Sequence, residues 1–168
     1  MSTPLLPVIL ESGLNAIWRA GNDGLAAQIT HIALGDAGYL PNQSQTSLRA
    51  EKARYPIAGG SRVSPKQIHL TALADGPAEF WVREVGFVLS DGTMLAIWSD
   101  PAKPLAYKSP GVDLLLAYDL TLSAVPADSV IVQSSGASLN LNMATELAQL
   151  ATAIVRTQHM LLEPKLKP

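Results

Sequence analysis

The sequence contains no cysteine and few charged or aromatic residues. Of its 168 residues, 15% are charged and 5% are aromatic. Without cysteine the chain has no thiol nucleophile, no disulfide and no cysteine-ligated metal. With 12 Lys and Arg against 14 Asp and Glu, neither sign dominates, so we expect no general affinity for nucleic acid. Soluble monomers carry about 25% charged residues, so the low charge is typical of a chain that covers its surface with a partner or with copies of itself.

Long apolar runs are also missing. The longest candidate, Leu114 to Tyr118, is closed by Asp113 and Asp119 and is far shorter than the ~18 residues of a membrane-spanning helix. The apolar start, residues 1–10, has no basic region and does not resemble a signal peptide. We therefore expect synthesis in a cytosol and no insertion into a membrane.

No pattern of catalytic or ligand-binding residues stands out. The three histidines, His31, His69 and His159, are scattered and lack the short spacing of a metal site. Residues 35–38 read Gly-Asp-Ala-Gly without the Gly-Lys-Ser/Thr that completes a phosphate loop, so a turn is the better interpretation. We expect no catalytic residue, no cofactor and no metal.

Two pairs of acidic residues keep one enzymatic alternative open. A glycoside hydrolase needs two carboxylates about 5–9 Å apart in a cleft. Asp75 with Glu79 and Asp113 with Asp119 are the close pairs in the sequence, and the second pair brackets a strand at even spacing. Nothing else in the sequence favours this alternative.

Hydrophobic periodicity predicts an α+β fold with an N-terminal helix and a mainly antiparallel sheet or sandwich of short strands. Apolar residues at three- and four-residue spacing predict a helix that Pro7 opens and that ends near Gly21. Alternating or continuous apolar runs predict strands over 26–34, 63–73, 80–89, 93–98, 114–122 and 130–132. In the strand over 26–34 we expect Ile29 on the face opposite Ile32 and Leu34. We expect the pair Gly59-Gly60 to end the charged segment 48–57, which precedes the strand over 63–73.

The segment 80–98 gives the strongest local signal. Asp91-Gly92 between two apolar runs predicts a two-residue hairpin turn, and we expect Trp81 and Trp98 to be largely buried. Arg83 and Glu84 interrupt ten otherwise apolar residues. As strand neighbours they point to opposite faces and cannot pair with each other, and an unpaired buried charge is costly. We therefore predict that both are buried in structural ion pairs, Arg83 with one of Asp36, Asp113 and Asp119, and Glu84 with Arg54 or Lys108.

The chain changes character after residue 133. We expect one domain over 1–133, a flexible joint at 134–138, a helix over 139–162 and a tail at 163–168. Alternating four- and three-residue steps give this helix an a/d seam of a little over two heptads. Packing of the helix on its own domain explains the same pattern, but the joint favours association with other chains. The candidate trimer interface consists of Met143, Leu147, Leu150, Ile154 and Leu161.

Four segments, in order along the chain, resemble the phage tail-collar fibre family. Residues 80–86 read Phe-Trp-Val-Arg-Glu-Val-Gly, similar to the family's Phe-Trp-Ile-Arg-Glu-Val-Gly hairpin. Residues 29–36 read Ile-Thr-His-Ile-Ala-Leu-Gly-Asp, similar to Leu-Thr-His-Met-Ala-Val-Gly-Asp. Gln-Thr-Ser-Leu at 45–48, followed by Glu51 and Arg54, resembles Gln-Thr-x-Leu-x-x-Glu-x-x-Arg, and residues 14–17 resemble the opening helix. The resemblance extends over about residues 8 to 133.

This resemblance implies a non-catalytic structural part of a phage or prophage-derived contractile tail. Such a domain joins a fibre, generally a homotrimer, to the baseplate. The expected partners are copies of the chain itself, a baseplate protein and a more distal fibre protein involved in host attachment. The expected location is the tail of the particle, with assembly in the cytoplasm of the bacterial host. A tail-fibre assembly chaperone and a small tail-associated glycan hydrolase are the alternatives.

Overall fold

The structure, a computed structural model, describes residues 6–22, 27–64, 66–121 and 130–133. These residues all belong to the first of two units of the chain, Met1–Ser138. The predicted joint, C-terminal helix and trimer seam lie outside the described residues. The elements are β1 (Val8–Ile9), α1 (Glu11–Asn22), β2 (Ala27–Gly35), β3 (Glu51–Ser64), β4 (Gln67–Ala74), β5 (Phe80–Val82), β6 (Glu84–Leu89), β7 (Met94–Ser99), β8 (Ala106–Lys108), β9 (Leu114–Thr121) and β10 (Val130–Val132).

The described strands form one large curled sheet and one small one. The large sheet has the order β1-β7-β6-β2-β3-β4-β9, with β10 added beside β2, and it curls as a half-barrel. The small sheet pairs β5 with β8. Every pairing is antiparallel except the parallel pairing of β10 with β2. The prediction of a mainly antiparallel α+β fold with an N-terminal helix is therefore confirmed.

Helix α1 begins later than the sequence predicted. Val8 and Ile9 form a short edge strand on β7, and the N–H of Leu10 donates to the carbonyl of Leu95 at 2.9 Å. Sheet pairing therefore takes residues that Pro7 was expected to place in the helix. The helix packs closely on β7, because a Cβ on Gly13 would lie 2.6 Å from the carbonyl oxygen of Leu95.

Strand β2 carries a register shift that changes its faces. Ile29 was expected opposite Ile32 and Leu34, but all three belong to the same apolar core and have no exposed surface. The pairing of β2 with β6 shifts between Ile29 and His31. One extra residue in a strand inverts the alternation of side chains beyond it, which moves Ile29 to the core side.

The pair Gly59-Gly60 does not end a strand, and this prediction is wrong. Strand β3 runs through both glycines for 14 residues, first along β2 and then along β4. A register shift between Ile57 and Gly59 marks the change of neighbour. A Cβ at Gly60 would overlap the side chain of Val132, so the glycine allows β10 to approach β3 closely.

The predicted strand 80–89 is two strands in different sheets. Strand β5 pairs with β8, whereas β6 lies between β2 and β7, and Arg83 stands between them. This break turns Trp81 outward, with 53% of its surface exposed, so its expected burial is wrong. Trp98 is partly buried and packs against the core.

The hairpin between β6 and β7 is confirmed, with one more loop residue than predicted. Leu89 accepts a hydrogen bond from the N–H of Gly92 and donates to the carbonyl of Thr93. Gly92 has a φ of +85°. A tight turn followed by a left-handed glycine is the usual three-residue hairpin loop, here Ser90-Asp91-Gly92.

Candidate functional site

Among the described residues, two charged side chains are fully buried, those of Glu84 and Lys108. Glu84 begins β6, directly after the small sheet, and Lys108 ends β8 within that sheet. Burial of a charge is costly unless its hydrogen bonds are satisfied, so both sites are defined by the groups that bind the charge.

The carboxylate of Glu84 is held by three neutral donors. Its Oε2 accepts from the hydroxyl of Tyr39 at 2.7 Å and from the N–H of Arg49 at 2.9 Å. Its Oε1 accepts from the N–H of Ala50 at 2.7 Å. We call Glu84 with these three donors the carboxylate node. The sequence predicted a cation here, but Arg54 binds Glu51 and Lys108 binds carbonyl groups. Two backbone N–H groups and the hydroxyl of Tyr39 satisfy the carboxylate instead.

The carboxylate node joins three of the segments that carried the family resemblance. Glu84 comes from segment 80–86, the two backbone donors lie between Leu48 and Glu51, and Gly35 belongs to segment 29–36. A side chain at Gly35 would overlap the carboxylate of Glu84. Gly35 also accepts from the N–H of Arg83 at 2.9 Å. Three of the four segments that carried the resemblance thus converge on one buried group.

The loop between β2 and β3 is fixed across the carboxylate node. The N–H of Tyr39 donates to the hydroxyl oxygen of Ser99 at 3.1 Å, and that hydroxyl donates to the carbonyl of Ala37 at 3.1 Å. The guanidinium of Arg49 lies 4.0 Å from the centre of the Tyr39 ring, a cation–π contact. Burial, and then the hydrogen bond to Glu84, raises the pKa of Tyr39 to about 12. The phenol therefore remains a proton donor to the carboxylate over the whole neutral range.

Arg83 is placed differently from its neighbour. It is only partly buried, and among the described residues no salt bridge joins it to any of its three expected partners. Asp36 pairs with Lys52 at 3.0 Å, and Asp119 pairs with His69 at 2.8 Å. The break between β5 and β6 explains the difference, because it places Arg83 at a junction of two sheets instead of inside one strand.

Lys108 occupies the second buried charged site. Its Nζ donates to the carbonyls of Ser109 and Val112 at 2.8 Å and to that of Gly76 at 3.0 Å. These three bonds use all the donors of an ammonium group. They connect the loop before β9 to the turn before β5, so Lys108 stabilises the arrangement of these two segments.

The candidate acidic pairs of a hydrolase each lose a member to another partner. Glu79 accepts a hydrogen bond from the hydroxyl of Tyr107, and Asp119 is bound to His69 across β4 and β9. Within the described ranges, no group of three or more His, Asp or Glu side chains could hold a metal ion. In the same part of the chain, no helix is long and apolar enough to cross a membrane.

Tyr39 and the backbone donors of the carboxylate node were not predicted from the sequence. Tyr39 lies in a loop rich in Gly, Pro, Asn and Ser, where a large aromatic residue is unusual and signals a buried anchor. Backbone N–H groups carry no mark in a sequence, so Arg49 and Ala50 offered no signal of their own.

Comparison with known protein families gives a match over most of the chain. The family described as phage tail-collar fibre protein, N-terminal, matches residues 1–130. No curated protein and no solved structure matches the chain.

Proposed function

The chain belongs to the phage tail-collar fibre family, and we propose that it attaches a fibre to the baseplate end of a phage or phage-like contractile tail. The family is one of structural tail fibres and not of enzymes, which assigns the chain to the phage tail. The family match over residues 1–130 is the observation that carries this proposal.

The carboxylate node supports a structural role. In the described residues, internal hydrogen bonds satisfy both fully buried charged side chains. Glu84 binds the loop 36–50, and Lys108 binds the loop 109–113. Satisfied buried polar groups make a fold rigid and specific. A domain that carries load between a tail and a fibre benefits from that rigidity.

The helix predicted from the sequence over 139–162 completes the proposal. We propose that three chains associate in parallel through the seam Met143, Leu147, Leu150, Ile154 and Leu161, predicted from the sequence. Leu147→Asp combined with Leu150→Asp would gather six carboxylates at the axis. We expect this variant to sediment as a smaller species than the parent. The control, Gln149→Asp combined with Thr152→Asp, adds the same charge off the seam and should sediment as the parent does. Equal behaviour of the two variants would exclude the seam.

Particle composition tests the attachment. Particles are purified from a producing strain through two density gradients, and the chain is quantified by mass spectrometry against a sheath protein. We expect a fixed copy number per particle, in a multiple of three. An assembly chaperone would instead be abundant in the lysate and absent from the purified particles, and that result would overturn the proposal.

A further inference from the structure

Strand β9 is the long outer edge of the large sheet. It spans eight residues, and among the described strands it pairs with β4 alone. The opposite edge of the sheet, β1, has only two residues. A strand at an edge presents a row of backbone N–H and C=O groups that another strand can bind.

This edge has little of the protection that natural proteins give to exposed strands. Edges are usually made short, bulged, or interrupted by proline or by charged side chains, lysine above all. β9 reads Leu-Leu-Leu-Ala-Tyr-Asp-Leu-Thr, with neither lysine nor proline, and its one charged residue, Asp119, is bound to His69. Its ladder with β4 runs from Ala74–Leu114 to Gln67–Thr121 without a register shift. The edge is therefore regular and suited to pairing.

The outward side chains of β9 define the chemistry of its partner. Leu115 is 57% exposed and stands opposite the exposed Leu73 of β4. Asp119 lies further along the same face but is bound to His69 of β4, and the exposed Asp113 precedes the strand. The edge thus offers an apolar contact and the exposed carboxylate of Asp113, and β9 itself contains no lysine or arginine. A second copy of β9 would add further carboxylates, whereas a basic strand would be attracted.

We propose that β9 binds an extended, basic segment of another tail protein, which adds as a further strand to the large sheet. The partner supplies backbone hydrogen bonds along β9, an apolar side chain beside Leu115 and a basic side chain near Asp113. This pairing is strand addition, a mode in which the backbone gives affinity and alternate side chains give specificity. It rests on the proposed attachment function and names the surface that performs it.

The first test uses the isolated full-length chain and does not depend on particles. The probe is a blocked nine-residue peptide in which lysine alternates with valine, and hydrogen–deuterium exchange is measured by mass spectrometry. We expect the peptide to slow exchange at residues 114–121 at least tenfold at saturation. Residues 84–89, which are paired on both sides, serve as the internal reference. A control peptide with glutamate in place of lysine should give much weaker protection. Equal protection by both peptides, or by neither, would overturn the proposal.

The second test measures incorporation into particles. Leu115→Lys adds a charge to the open edge, whereas Leu40→Lys adds the same charge at an exposed leucine in the loop between β2 and β3. We expect Leu115→Lys to lower the copy number per particle at least tenfold while its melting temperature matches that of Leu40→Lys. Leu40→Lys should be incorporated normally. Equal incorporation of both variants would contradict strand addition at β9.

Other occupants of the edge give different results. Protection of residues 114–121 that rises with the concentration of the isolated chain would identify a second copy. Protection at every concentration, without peptide, would identify another segment of the same chain. Either result would overturn the proposal. Absence of the unmodified chain from particles would overturn the attachment function, and the peptide test would still decide whether β9 binds a strand.

Discussion

Replacement of Glu84 by glutamine tests the carboxylate node directly. Glutamine keeps the size of the side chain and one carbonyl oxygen, but it puts an NH₂ group where the second carboxylate oxygen stood. If the carbonyl faces Tyr39 and Arg49, the NH₂ group faces the N–H of Ala50. Two donors then meet, and one charge-assisted hydrogen bond is lost.

The expected loss of stability follows from the hydrogen bonds that Glu84→Gln removes. A hydrogen bond to a charged group contributes about 1.5–3 kcal/mol, and a stranded buried donor costs about 1–3 kcal/mol. Removal of the buried charge returns part of this cost. We therefore expect Glu84→Gln to lower the free energy of unfolding by about 2–3 kcal/mol, which lowers the melting temperature by roughly 6–12 °C in a domain of this size.

The assay is thermal unfolding followed by circular dichroism at fixed protein concentration, because association of chains makes the melting temperature depend on concentration. The control is Glu51→Gln, whose carboxylate pairs with Arg54 near the surface and contributes about 0–1 kcal/mol. Tyr39→Phe should cost about 1–2 kcal/mol, and the double variant with Glu84→Gln should cost less than the two single changes together. Equal melting temperatures of Glu84→Gln and Glu51→Gln would contradict the stabilising role of the carboxylate node.

Three further predictions concern the described domain. Lys108→Met leaves three carbonyl groups without their hydrogen-bond donor and should lower the free energy of unfolding by about 2–4 kcal/mol in urea titrations. Replacement of the exposed Lys103 by methionine should have little effect, and equal losses of stability in the two variants would contradict the role of Lys108. Gly13→Ala should destabilise the fold by about 1–3 kcal/mol despite the better helix propensity of alanine, because its Cβ meets the backbone of Leu95; a more stable variant would show that α1 is free to shift. The raised pKa of Tyr39, from 10.0 to about 12, favours the protonated phenol in the folded state, so its contribution is complete below pH 10 and is lost as the pH rises toward 12. Tyr39→Phe should therefore flatten the fall in stability over that window, and an unchanged pH profile would refute the assignment.

Local chemistry made part of the fold predictable from the sequence. The apolar runs on both sides of Asp91-Gly92 fixed the β6–β7 hairpin, and the spacing of apolar residues located α1 to within a few residues. These signals depend on neighbours in sequence, where turn preference and periodicity act directly.

The remaining features depend on contacts between distant segments. The register shift at Ile29 and the path of β3 through Gly60 follow from which strands lie beside them. Two of the three donors to Glu84 are backbone groups 34 and 35 residues away in sequence, and the third is the hydroxyl of Tyr39, 45 residues away. The burial requirement indicated that Glu84 needs partners, but it did not show that neutral donors would meet the need. The same requirement led to the wrong prediction of a buried ion pair for Arg83, because no sequence signal indicated the break between β5 and β6.

Labelling of intact particles tests the central claim most directly. An antibody raised against the folded chain and coupled to gold is applied to purified particles and located by electron microscopy. The account predicts gold at the baseplate end of the tail, at the point where fibres leave it. Particles that stay unlabelled while the lysate contains the folded chain, or gold spread along the sheath, would contradict it.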